Sequence, residues 1–198
     1  LSLCNKNMEN MDTNNNDGKA KHDLLAEVCM AAKYEGESIK THYPKYQTTY
    51  GDVGSTMCTM LARSFADIGD IVRGRDLYSG NKKKKQTERE KLEDNLRKIF
   101  GHIYEGLSTK NGVKDHYQDT TNYFQLREDW WTANRETVWK AITCDAPESA
   151  HYFRATCSDR DRNGTFSQAN KYCRCDKEKG AKADQVPTYF DYVPQYLR

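Results

Sequence analysis

Two carboxylates three residues apart, Asp67 and Asp70, are the first candidates for chemistry, because a pair on one helical face can divide acid and base roles. No His, Cys or Ser is placed to complete a mechanism, and acids on helix surfaces are common. The histidines, His22, His42, His102, His116 and His151, are scattered singly. Gly51-Asp52-Val53-Gly54-Ser55-Thr56 faintly suggests a phosphate loop, but the essential lysine is absent and no strand precedes it, so it reads as a helix cap. No catalytic set emerges, and no cofactor is expected.

Sulfur offers more. Seven cysteines, at 4, 29, 58, 144, 157, 173 and 175, exceed what a cytosolic domain of this size usually carries, and none forms a CxxC pair. An oxidising, secreted context follows. Seven is odd, so at least one partner lies outside the chain or one thiol stays free. Cys29 and Cys58 fall on successive expected helices near their apolar faces, where a bridge is sterically natural and would stabilise by about 3–4 kcal/mol. Cys144 and Cys157 could close a smaller loop. Cys173 and Cys175 are too close along the chain to pair with each other without strain. A zinc site of Cys157, Cys173, Cys175 and His151 is the competing use, without the usual ligand spacing.

A third chemistry is electrostatic. Lys82, Lys83, Lys84 and Lys85 are flanked by Arg73 and Arg75 before and by Arg89 and Lys91 after. Sulfate or carboxylate groups of an acidic glycan would be held there by charge-assisted contacts that salt weakens. Asp76, Glu88 and Glu90 dilute that field, and a solvated loop is the plainer reading of the same residues. Asn163-Gly164-Thr165 is a glycosylation sequon, which marks a surface loop.

The totals narrow the classes. Net charge is +2 with a pI near 8.1, too balanced for a general nucleic-acid binder. Charged residues make up 30% and mean hydropathy is -1.00. No apolar run approaches the roughly 20 residues of a membrane span, so no membrane insertion is expected. A chain of 198 residues can bury roughly 70% of its unfolded surface. Leu1-Ser2-Leu3-Cys4 has neither the basic start nor the apolar run of a signal peptide, and the chain reads as an excised fragment.

The elements that must position these groups are helices. In Ser55 to Gly74, residues Met57, Met60, Leu61, Ser64, Phe65, Ile68, Ile71 and Val72 recur at helical spacing and form one apolar stripe. Ser55 and Thr56 are good N-caps and Gly74 a natural stop. Asp67, Asp70, Arg63 and Arg73 are expected beside or opposite the stripe. From His22, a helix carries Leu24, Leu25, Val28, Ala31, Ala32 and Ile39, and Tyr43-Pro44 is expected to end it. Tyr46 to Gly54 then serves as a connection.

Thr87-Glu88-Arg89-Glu90 is a capping box opening a helix with Leu92, Leu96, Ile99, Phe100, Ile103 and Leu107 on one face. After a turn at Asn111-Gly112, Asp119 to Asn122 offers caps for a helix over 123–143 lined by Leu126, Trp130, Trp131, Val138, Ala141 and Ile142. Trp130, Trp131 and Trp139 read as core. Adjacent tryptophans cannot face one way, so one is expected to meet a neighbouring unit. Four such helices make an all-α bundle stapled by disulfides. Asp12 to Gly18 is a polar linker, and beyond Cys144 irregular, disulfide-dependent structure is expected.

Four phrases carry a resemblance. AAKYEGESI (31–39), LARSFADIGDIVRGRDLY (61–78), LREDWWTANRETVWKAITC (126–144) and VPTYFDYVPQYLR (186–198) closely resemble the Duffy-binding-like domains of the malaria parasite's variant adhesins, the Plasmodium falciparum erythrocyte membrane protein family. The alpha class of the N-terminal head is the most similar. The resemblance implies a helical fold of three subdomains, displayed outside the infected red cell as part of a membrane adhesin and without enzymatic activity. Its implied partners are host red-cell or endothelial receptors, sulfated glycans, blood-group sugars and the rest of the same adhesin. It divides the chain into the end of subdomain 1 (1–19), the helical subdomain 2 (20–143) and the start of subdomain 3 (144–198). It also implies the pairs Cys29–Cys58 and Cys144–Cys157, with Cys4, Cys173 and Cys175 bonded outside the chain. The lysine loop falls where family members vary most.

Overall fold

The computed structural model describes residues 4–13, 18–50, 56–75, 88–107, 112–158, 166–175 and 185–198. Among them are five helices: α1 (Lys6–Glu9), α2 (Ala20–Tyr50), α3 (Thr56–Arg73), α4 (Glu88–Glu105) and α5 (Phe124–Ile142). Two short strands, β1 (Ala155–Ser158) and β2 (Phe166–Gln168), pair antiparallel with a bulge between Ala155 and Cys157. Single 3-10 turns lie at Lys114–His116, Phe190–Tyr192 and Gln195–Leu197. The all-α expectation holds, with this small hairpin added after α5.

α3 is the middle of the packing. It contacts α2, α5 and the Phe190–Tyr192 turn, and every position from Leu61 to Arg73 is buried except Arg63 and the half-buried Asp67. A polar outer face was expected for it; instead Asp70 and Arg73 are as enclosed as the apolar stripe, because the chain's last residues cover that side. The helix stops where expected. Gly74 has φ +71°, and Gly74 N donates to Ile71 O (3.1 Å) while Arg75 N donates to Asp70 O (2.8 Å). These two bonds are the paired closure of a Schellman motif, and the positive φ is why glycine stands there.

α2 corrects another expectation by running through Pro44 to Tyr50. Proline withholds one amide, and Tyr43 immediately before it is packed into the core, so tertiary contact carries the helix past it. Along α2 the expected Leu24, Val28, Ala31, Ala32 and Ile39 are buried. Gly36 marks the closest approach to α5: a Cβ built there would sit 2.1 Å from Ile142 O, and the obstacle is backbone that cannot rotate away. Gly36→Ala is therefore expected to force the two helices apart and cost about 3 kcal/mol, the upper range for overpacking, read from urea melts of the purified protein.

α4 buries Leu92, Leu96, Ile99, Phe100 and Ile103 as its spacing requires, while Leu107 is partly buried. Thr87 of the capping box, Ser55, the lysine loop and the sequon lie outside the described residues. The N-terminal segment packs more than its composition promised. Met8 is 1% exposed, Asn7 Nδ2 donates to both Glu27 O and Glu27 Oε2 at 2.8 Å, and Asn95 Nδ2 donates to Glu9 O at 2.9 Å.

α5 begins after a left-handed Tyr123, φ 57°. Asp119 caps the approach, its carboxylate accepting from the amides of Thr121 (3.1 Å), Asn122 (3.0 Å) and Phe124 (3.3 Å). Those donors, Asn122 foremost, hold the Asp119 carboxyl below the usual carboxylate range. A carboxylate with a depressed folded pKa contributes stability above its unfolded pKa, and loses it as pH falls through the folded value. Asp119→Ala is thus expected to lose about 1 kcal/mol at neutral pH. The gap between the two melting temperatures should close as pH is lowered past about 3.9, which thermal melts across pH would follow.

The three tryptophans are core, as expected, and the adjacent pair divides as expected too. Trp130 stands edge-on to Phe100 of α4 at 6.1 Å. Trp131 meets Phe65 of α3 at 5.1 Å and the C-terminal segment beyond it.

Candidate receptor-binding surface

The disulfides differ from both expected pairs. Cys58 is joined to Cys173, with Cα atoms 5.6 Å apart, and Cys157 to Cys175, 5.5 Å apart. Cys4, Cys29 and Cys144 carry no disulfide. The physical reason is that residues 150–158 and 166–175 fold back over the start of α3. Tyr172 and Cys173 both have positive φ, 52° and 55°, and Arg174 N donates to Lys171 O at 2.8 Å, closing a tight turn of the mirror-image type. Trp139 Nε1 donates to Cys173 O (3.2 Å) and Cys173 N donates to Ala150 O (3.0 Å). These bonds fix the turn against α5 and present Cys173 to Cys58, while Cys29 stays half-buried on α2 and Cys144 is exposed at the end of α5. With Cys157, Cys173 and Cys175 oxidised in pairs, the zinc set has no thiolates to offer.

A second constellation, missed from sequence, is a buried charge cluster. Asp191, 1% exposed, accepts from Trp131 Nε1 (2.9 Å), Arg135 Nε (2.8 Å) and Arg135 Nη2 (2.8 Å). Arg135 Nη2 also donates to Thr188 O at 2.9 Å. Arg73, wholly buried, donates to Gly69 O (2.9 Å), to Asp70 Oδ1 (3.0 Å) and to Asp191 O. Arg198 donates to the other Asp70 oxygen and lies 3.6 Å from Asp67. The Tyr192 ring stands 5.6 Å from the Arg73 guanidinium and 5.1 Å from that of Arg135.

The effect is to tie residues 186–198 to α3 and α5. Burial pulls the Arg73 pKa below the usual guanidinium value, countered by Glu128, and burial pushes the Asp67 carboxyl above the usual range despite Arg198. Asp70 is paired with Arg73 and Arg198, so the Asp67–Asp70 pair serves attachment.

A smaller lock joins α4 to α5. Arg127, fully buried, holds Glu93 through both terminal nitrogens (2.6 and 2.9 Å) and donates from Nε to Val72 O (2.7 Å). The signal for these residues was in the sequence: Arg127, Trp131 and Arg135 recur every four residues, which puts two arginines on the same side of the helix as a core tryptophan.

The expected cationic surface comes out reduced. Arg73 is removed from it by burial. Arg75 is half-exposed but its Nε lies 2.6 Å from Glu128. Arg89 is half-buried and Lys91 exposed, with burial lowering the Arg89 pKa against the opposing pull of Asp67. Lys82 to Lys85 lie outside the described residues. A cleft of about 200 Å³ beside Arg75 is lined by Asp70, Asp191, Tyr192, Val193, Pro194 and Gln195.

Comparison with known proteins gives a consistent answer. Residues 1–198 match the family model described as the Duffy binding domain. The chain is similar to the crystal structure of the NTS-DBL1 alpha-1 domain of Plasmodium falciparum membrane protein 1 (PfEMP1) from the varO strain. Identity is 40%, the TM-score 0.72, and the match covers 98% of this chain and 39% of that one. The NTS-DBL1-alpha and CIDR-gamma double domain of the same strain's protein is 42% identical with TM-score 0.72, over 98% of this chain and 25% of that. The PfEMP1 IT4var13 DBLbeta domain, described as ICAM-1-binding, is 33% identical with TM-score 0.66, over 99% and 39%. The chain thus spans well under half of each of these solved chains. Comparison with curated protein sequences gave no match.

Proposed function

The chain belongs to the Duffy binding domain family, and from that premise we propose that it is a host-receptor-binding adhesion unit. On this reading it works as an extracellular part of a variant surface antigen on infected red cells, in cytoadhesion and rosetting. What carries the reading is the match along the whole chain, supported by likeness to a domain described as binding ICAM-1. No helix among the described residues is long and apolar enough to cross a membrane. The division at 19/20 and 143/144 into subdomain pieces belongs to the same proposal.

The finer proposal is binding of heparan-sulfate-like or blood-group glycans, with the acidic, heparan-sulfate-like ones assigned to Lys82, Lys83, Lys84 and Lys85 and to Arg75, Arg89 and Lys91 at the margins. Heparin retention of the oxidised chain is expected to fall steeply between low and physiological salt. Replacing the four lysines by alanine should abolish most of it, and unchanged retention would take this loop out of the site.

One observation favours a second reading, in which this stretch is scaffold and antigenic surface. Three of the four phrases that carry the family resemblance supply the buried charge cluster, through Asp70 and Arg73, Trp131 and Arg135, and Asp191. If that reading is right, a longer chain of the same adhesin binds red cells while this chain, correctly oxidised, does not.

A further inference from the structure

One enclosed acid takes no part in the charge cluster. Glu35, in the middle of α2, is 2% exposed, and no cation pairs with it among the described residues. Ser64 of α3 donates its hydroxyl to Glu35 Oε1 at 2.9 Å, and the backbone amide of Cys4 donates to Oε2 at 3.2 Å. In a site closed to water a carboxyl group needs such donors. Burial and, after it, Glu35 push the Cys4 thiol above its usual value, so the thiol as well as the amide of Cys4 lies against this side chain. Glu35 thus joins α2, α3 and the segment ahead of α1.

That segment is lightly held. Met8 is the single buried side chain between residues 4 and 13, and α1 within it is four residues long. Further ties run from Asn7 to Glu27, from Asn95 to the Glu9 carbonyl and from His102 to the Thr13 carbonyl (3.0 Å). A strap fastened by one buried side chain and single hydrogen bonds lies at the low end of local stability, and opens ahead of the helices beneath it.

We propose that Glu35 is a latch coupling this strap, residues 4–13, to α3. Ser64 holds one carboxylate oxygen so that the other stays on the Cys4 amide, and the strap opens as a unit when that hold is lost. The Ser64 hydroxyl bonds Glu35 and no strap residue, so its influence on the strap passes through the carboxylate. The latch is a property of the fold and holds whatever the chain binds.

Hydrogen exchange of the oxidised chain tests the latch at three amides: Cys4, bonded to Glu35, Met8, bonded to Asn5 O, and Asn10, bonded to Asn7 O. In the unaltered chain they are expected to exchange through a local opening that low urea leaves unchanged, whereas the amides of α5 respond to urea with the whole fold. Ser64→Ala is expected to raise exchange at all three about tenfold, the worth of one hydrogen bond to a carboxylate, with the opening still insensitive to urea. Val72→Ala supplies the comparison. It thins the core at a fully buried position of the same helix, about 12 Å along the axis from Ser64, and should lower global stability while leaving strap exchange unaltered. Glu35→Gln keeps an oxygen for the Cys4 amide and offers its NH2 to the Ser64 oxygen, so the strap should stay closed as in the unaltered chain. Unchanged exchange at the three amides in Ser64→Ala overturns the latch. So does a rise that carries the urea dependence of α5 or is matched by Val72→Ala, because the strap would then open only with the whole fold. Release of the strap in Glu35→Gln as large as in Ser64→Ala also overturns it, since a hydrogen-bonding side chain of the same shape would not suffice.

Discussion

Asp191→Asn is expected to lower the unfolding free energy by about 3–5 kcal/mol, the cost of breaking a buried ion pair from one side. The carboxylate is fully enclosed and answers Arg135 through both oxygens and Trp131 through one. Asparagine keeps the shape but leaves the Arg135 guanidinium, 14% exposed, without its counter-charge in a site with little water. Because the Asp191 carbonyl also accepts from Arg73, disturbing the backbone here would reach α3 as well as α5. Urea unfolding of the single variant, of Arg135→Met and of the double variant would measure the coupling directly, expected at about 1–3 kcal/mol. A loss below about 1 kcal/mol for Asp191→Asn would mean that solvent reaches the cluster.

Replacing Cys58 and Cys173 together by serine is the other large expected effect. The bridge spans a sequence separation of 115, and closing a loop that long removes about 4–5 kcal/mol of unfolded-state entropy on the chain-entropy estimate. Cys157–Cys175 closes a separation of only 18, for which the same estimate gives about 3 kcal/mol. The ordering of the two double variants in urea is therefore part of the expectation. The longer bridge also holds the left-handed turn at Tyr172–Cys173, so its removal should additionally raise hydrogen exchange at the amides of position 173 and Arg174.

Much of this fold was legible because the helices obey a simple period. The buried sets of α2, α3 and α4 match the spacing of their apolar residues, and the end of α3 follows from one glycine. What escaped is what the period does not encode. Asp70 and Arg73 look like the solvent side of α3 until a distant segment covers them, and neither residue type announces burial. The tight turn at 171–174 uses Tyr and Cys where Gly or Asn would be the readable sign. With that turn hidden, the nearest helical neighbours, Cys29 and Cys58, were the natural guess for a bridge. Pro44 misled for a similar reason, since tertiary packing outweighed a local rule.

The candidate surface was legible in part. The run of lysines was plain from composition, yet Arg73 beside it proved to be structural.

The central claim is that the chain beyond α5 is fastened onto the start of α3. Proteolysis of the unreduced protein followed by mass spectrometry tests this most directly. The account predicts one linked peptide joining Cys58 to Cys173 and another joining Cys157 to Cys175, with Cys29 and Cys144 recovered as alkylated thiols. A peptide linking Cys29 to Cys58 would contradict it.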